Sequence, residues 1–137
     1  MLAALLLLVS SPVLRAESGP APEAGAKAND LSLDVYRKLR GHLEAYYGVA
    51  PAAAEKLTKA QARESLHKDA QEHQDALLKA LGGAQVIHRE LAAMLLEFSA
   101  EKEPAIQALA QTLRSDSDAD VRIAAAGSLG NLKDAAA

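Results

Sequence analysis

The sequence predicts an all-α chain, and three observations carry that prediction. Half of the 137 residues are hydrophobic, yet only 3% are aromatic, because the apolar content is mostly Ala and Leu. Ala is the least costly residue to place in a helix, whereas a β-sheet would draw on Val, Ile, Thr and aromatic side chains. Apolar residues recur every three or four positions through most of the chain, the spacing that lines one face of a helix. The pattern around Arg89 also returns around Arg122, about 33 residues later, a period that suits stacked helical hairpins.

Residues 1–16, MLAALLLLVSSPVLRA, are apolar almost throughout. Their unbroken run, Leu2 to Val9, is shorter than the roughly 20 apolar residues that a membrane-spanning helix needs. It has the size of the apolar core of an export signal, and Ala16 offers a small residue before a cut. The expectation is a signal peptide over 1–16, a periplasmic or secreted address, and no stable transmembrane segment after cleavage. Residues 17–28, ESGPAPEAGAKA, mix Pro, Gly, Ala and charge, the composition of a flexible linker.

Residues 29–74 read as an N-terminal helical region. Asn29 and Asp30 are cap candidates for a helix striped by Leu31, Val35, Leu39, Leu43 and Tyr46, and Gly48 ends it. Tyr47 is expected to pack under the following loop; an exposed contact residue is the alternative. Pro51 opens a short Ala-rich helical piece. Thr58 and Gln61 match a capping box. From there Ala62, Leu66, Ala70, His73, Leu77 and Leu81 predict one stripe over roughly six turns, closed by Gly82 and Gly83.

Two hairpins are expected over residues 75–137, the second ending in an incomplete unit. A helix over Val86 to Phe98 should turn Ile87, Leu91, Met94, Leu95 and Phe98 inward. After the linker 99–103, Pro104 opens a helix with Ile106, Leu109, Ala110 and Leu113 on its apolar face. Asp118 caps the last helix, where Ala124, Ala125, Ala126, Leu129 and Leu132 form a small-residue face that weakens at Gly130.

The stretch Leu109 to Leu132, LAQTLRSDSDADVRIAAAGSLGNL, resembles the second half of a HEAT repeat, the helical-hairpin unit of alpha-solenoids. A weaker likeness covers 75–108. In that family an Asp in the inter-helix turn and an Arg early in the second helix pair along the array. Asp116 and Arg122 match this motif, with Val121 before the Arg and Asp118 beside it; Arg89 matches the Arg of the upstream unit, whose Asp is absent. The resemblance implies a short right-handed α–α superhelix, HEAT- or armadillo-like, preceded by one or more N-terminal helices. It also implies macromolecular binding in place of catalysis.

Other chemistry finds little footing. A net charge of -3 argues against a nucleic-acid partner, and the absence of Cys removes thiol chemistry. Glu64 and His67 form a single Glu-x-x-His, weak candidates for metal ligands, because carboxylate-bridged sites use two such motifs and two further Glu. The acidic run Asp116, Asp118, Asp120 lacks the Gly and distal Glu of a calcium loop and reads as capping. His73, in the apolar stripe, reads as a satisfied, partly buried histidine. No catalytic residue and no cofactor are expected. The function expected is an exported scaffold or protein-interaction module with a protein or peptide partner, and self-association through an open C-terminal unit. The alternatives are a subunit of a lyase-like HEAT enzyme or a helical metal-binding protein.

Overall fold

The computed structural model describes residues 28–49 and 57–136. The signal peptide expected over 1–16, all but the last residue of the expected linker, and the helical piece expected at Pro51 lie outside them. Six α-helices and no strand form among the described residues. In order they are α1 (Leu33–Tyr46), α2 (Lys59–Glu72), α3 (Gln74–Ala80), α4 (Val86–Leu95), α5 (Lys102–Ser115) and α6 (Ala119–Ala136); a 3₁₀ turn, Leu96–Phe98, follows α4.

The first helix starts two residues later than the Asn29–Asp30 caps predict. Ser32 is its N-cap, and its hydroxyl accepts from Val35 N at 3.4 Å. Leu31 is buried ahead of the helix, and Asp30 serves a different helix: its Oδ1 accepts from Gln85 N at 3.2 Å, at the start of α4. Gly48 ends α1 with φ of 72°, a left-handed conformation that Gly adopts without steric cost. The capping box at α2 is complete: Gln61 N donates to Thr58 Oγ1 at 3.1 Å, and Thr58 N to Gln61 Oε1 at 2.9 Å.

The predicted six-turn stripe is broken at His73, where φ is −113° and ψ is 19°. The two halves keep their inward residues: Ala62, Leu66 and Ala70 before the break, Leu77, Ala80 and Leu81 after it. The break brings Gln74 into the interior against Ser99, a polar contact that the apolar stripe does not foretell.

Helix α6 packs on both α5 and α4, and α1 packs on α2. Ala92, Ala93, Ala105 and Ala125 are fully buried at these crossings, where larger side chains would hold the helices apart. Ser128 Oγ reaches across from α6 to donate to Ala93 O at 2.7 Å, a contact that requires such close approach. Leu95, Leu96, Leu109 and Leu132 fill the space between, each burial worth about 1.5–3 kcal/mol. Burial of Leu132 carries α6 past Gly130 to Ala136, beyond the weakening expected there. Two other expectations fail: Ile87 and Leu113 are exposed, because Ala92, Ala93 and Thr112 take the inward positions of their helices. No helix among the described residues is long and apolar enough to cross a membrane.

Candidate functional site

Asp116 and Arg122 do not pair through the carboxylate. Arg122 Nη1 donates to the backbone oxygen of Asp116 at 2.8 Å. The Asp116 carboxylate goes to Arg89 of the preceding hairpin: Nε to Oδ2 at 2.9 Å and Nη2 to Oδ1 at 3.2 Å. Both side chains are largely buried. Arg89 Nη1 meanwhile donates to Gly83 O at 3.1 Å, six residues back, as Arg122 does to Asp116. The two arginines therefore make the same local contact about 33 residues apart. Asp118 caps α6 through Oδ1, which accepts from Asp120 N at 2.9 Å and Val121 N at 3.2 Å. Val121 is fully buried. This group of residues builds the turn and leaves its carboxylates occupied.

The Glu64–His67 pair is not gathered into a cluster. Both residues are exposed, and His67 Nδ1 lies 3.0 Å from Phe98 O with its ring edge-on to the Phe98 ring. No group of three His, Cys, Asp or Glu able to hold a metal occurs among the described residues.

The feature best shaped for recognition lies between α1 and α4. It is a groove of about 340 Å³ with Leu43 and Leu91 in its floor. Its walls carry Tyr36, Met94 and three exposed apolar side chains: Tyr47 (51% exposed), Val49 (66%) and Ile87 (49%). Apolar side chains grouped this way mark an interaction surface more than isolated ones do. Arg40, Glu44 and Glu90 stand at the rim. Arg40 Nε forms an ion pair with Glu44 Oε2 at 3.3 Å, and that carboxylate, together with Tyr36, raises the guanidinium pKa. Partial burial, then Glu97 and Tyr46, raise the Tyr47 phenol above its ordinary 10.0, so it is neutral near pH 7. The groove thus offers an apolar floor, a neutral hydroxyl and an ionic rim, a combination suited to binding a side chain or a helix face.

Tyr47 is exposed, contrary to packing under its loop. The groove as a whole was hidden in the sequence, because it joins residues about 40 positions apart. Its one advance sign was Tyr46–Tyr47–Gly48–Val49, where a chain poor in aromatics places two together. A second feature also went unread: buried Asp69 contacts His42 Nδ1 and lies 3.7 Å from Lys38 Nζ, tying α2 to α1. Its position, three residues after Leu66 and next to Ala70, places it on the inward face, and that signal was available.

Comparison with family models, curated proteins and solved structures finds no match.

Proposed function

We propose that this chain is an exported, non-catalytic HEAT-like helical module that binds another protein or peptide through the groove between α1 and α4. The observation that carries the reading is the grouping of Tyr47, Val49 and Ile87 around a preformed apolar floor. These three side chains are half to two-thirds exposed, so burial under a partner would recover about 1–2 kcal/mol each. The repeat architecture draws support from the matching contacts of Arg89 and Arg122 with backbone oxygens six residues behind each. The export address rests on the apolar run of residues 1–16. Self-association, the further partner reading, draws on Ile123, which is 69% exposed on α6.

Selection of peptides from a displayed random library tests the groove. Selected sequences should share an apolar anchor, and their affinity should fall at least tenfold against Ile87→Asp with helicity unchanged. Binders that ignore this substitution, or the absence of any enriched sequence, would remove the groove from the proposal.

A further inference from the structure

The segment leading into α1 is fastened to α4 by a hydrogen bond to a histidine. Leu31 N donates to His88 Nδ1 at 3.1 Å, and both residues are buried. The Tyr36 ring of α1 stacks on the imidazole, with centroids 4.8 Å apart and planes 24° from parallel. Elsewhere α1 lies mainly on α2, and its direct packing on α4 is thin. The contacts of His88 therefore help to hold together the two helices that wall the groove, whose floor takes Leu43 from one and Leu91 from the other.

That bond fixes the protonation state of the ring. The Leu31 N–H can only donate, so Nδ1 must present a lone pair, and the neutral ring carries its proton on Nε2. A second proton would go to Nδ1 and set two N–H groups against each other. An acceptor stands nearby: Asp30 Oδ1, 3.7 Å from Nδ1 and already receiving from Gln85 N. A protonated ring gains charge attraction by turning toward Asp30 and loses Leu31 in doing so.

The other charged neighbours among the described residues do not undo this. On α4 itself Arg89 is taken up by Asp116, and Glu90 stands at the groove rim. On α1 the ionisable group at the ring is Tyr36, and Arg40 beside it is paired with Glu44. Helices α3 and α6 bury uncharged side chains, Leu77 and Ala80 from one and Ala125, Ser128 and Leu129 from the other. The hold of α1 on α2 responds to acid with the opposite sign. Asp69 accepts from His42 Nδ1, and a further proton on that ring adds charge attraction to the bond.

We infer that His88 is a pH-sensitive latch. Neutral, it holds Leu31 and α1 against α4; protonated, it releases them, and the α1–α2 pair parts from α4 at the groove. Imidazole ordinarily titrates at about 6.5, so the release falls between pH 7.5 and 5.5. Its effect on partner binding rests on the groove reading proposed above. The latch itself does not, and it is measured with no partner present.

Amide hydrogen exchange and proton–nitrogen correlation spectra of the histidine rings, both on the full chain, test it. At pH 7.5 the His88 ring should show a bare Nδ1 and a protonated Nε2. The protection factor of the Leu31 amide should fall about five- to tenfold by pH 5.5, the ratio that linkage gives for a ring of ordinary basicity that must be neutral to keep its bond. Leu43, Leu66 and Leu109 should keep their protection, which separates release from unfolding. His88→Asn places an oxygen that cannot be protonated near the position of Nδ1, so Leu31 protection in that variant should no longer depend on pH. Should the variant fail to fold, the parent still decides, because its ring and its Leu31 amide must titrate with one midpoint. Leu31 protection unchanged down to pH 5.5, a protonated ring with the Leu31 bond intact, or an equal pH dependence in His88→Asn would overturn the inference. A groove that binds no peptide at any pH would remove the proposed function and leave the latch standing.

Discussion

Arg89 and Asp116 meet fork to fork across two successive hairpins, with Nε–Oδ2 at 2.9 Å and Nη2–Oδ1 at 3.2 Å. One carboxylate does two jobs there, since Asp116 Oδ1 also accepts from Asp118 N at 2.9 Å and so shapes the turn ahead of α6. Removing it strands a largely buried guanidinium. Asp116→Ala should cost about 2–4 kcal/mol in urea unfolding at pH 7. Arg89→Lys keeps the charge and loses the fork, so it should cost less, about 1–2 kcal/mol. Stability of Asp116→Ala within about 0.5 kcal/mol of the parent would show the pair to be incidental.

The first hairpin lacks an acidic residue in its own turn, and Asp30 fills the place from the N-terminal side by accepting from Gln85 N. Gly83 makes room for it. A Cβ added at Gly83 would lie 2.3 Å from Asp30 Oδ1 and 3.1 Å from Ala80 O, whereas one at Gly82 would meet nothing nearer than 3.6 Å. Gly83→Ala should therefore destabilise by about 1–3 kcal/mol, as overpacking does, and Gly82→Ala much less. In the Asp30→Ala background the cost of Gly83→Ala should shrink, because the clash goes with the carboxylate. Equal costs in both backgrounds would place the strain elsewhere.

These two turns show what the sequence could and could not disclose. Local signals were legible: the Thr58–Gln61 box, the Gly48 stop and the Asp118 cap each depend on residues a few positions apart. Helical faces were mostly legible, since Leu39, Leu66, Leu77 and Leu109 fall on period. What escaped was pairing between distant segments. Asp116 carries the same residue type whether it bonds Arg122 or Arg89, and the motif alone does not say which arginine its carboxylate meets. Exposed Ile87 and Leu113 escaped for a related reason. Periodicity marks apolar positions, but the small Ala92 and Ala93 on α4, and Thr112 on α5, take the inward face.

Glu97 gives the fold a pH dependence of definite sign. Burial raises its pKa above the ordinary 4.5, against the lowering effects of the Asn131 hydrogen bond and of Arg63. The unfolded chain thus ionises this group at lower pH than the folded one, and the cost of a partly buried charge appears as pH rises past 4.5. Glu97→Gln keeps an acceptor for Asn131 Nδ2, now 3.0 Å from Glu97 Oε2, and removes the charge. The variant should be more stable than the parent at pH 7, with the gain vanishing below pH 4. Thermal unfolding at both values checks this; a variant less stable at pH 7 would mean that the ionised form is the favoured one.

Export has a direct test. With residues 1–16 as a cleaved signal, the mature protein recovered from its native compartment should begin near Glu17. Mass spectrometry of the intact chain reads the cut. A cytosolic protein that retains residues 1–16 would end the export proposal.

The proposed self-association would use the outer face of α6. Ile123 stands 69% exposed one residue from Arg122, which is held to the Asp116 backbone oxygen. Ala126 and Gly127, exposed one turn further along α6, leave the surface beside Ile123 low enough for another helix to approach closely. In the interior, the equivalent approach of α6 to α4 uses Ala93 and buries Ser128 and Leu129. A second copy of the chain could seat an apolar helix face here in the same manner. Light scattering across a dilution series should then show a mass that rises with concentration. Ile123→Lys should return the protein to a monomer at all concentrations. Because the side chain is exposed, that substitution should change monomer stability by less than about 0.5 kcal/mol. A parent protein that stays monomeric up to millimolar concentration would rule out this face as a self-association surface and leave the groove between α1 and α4 as the proposed contact.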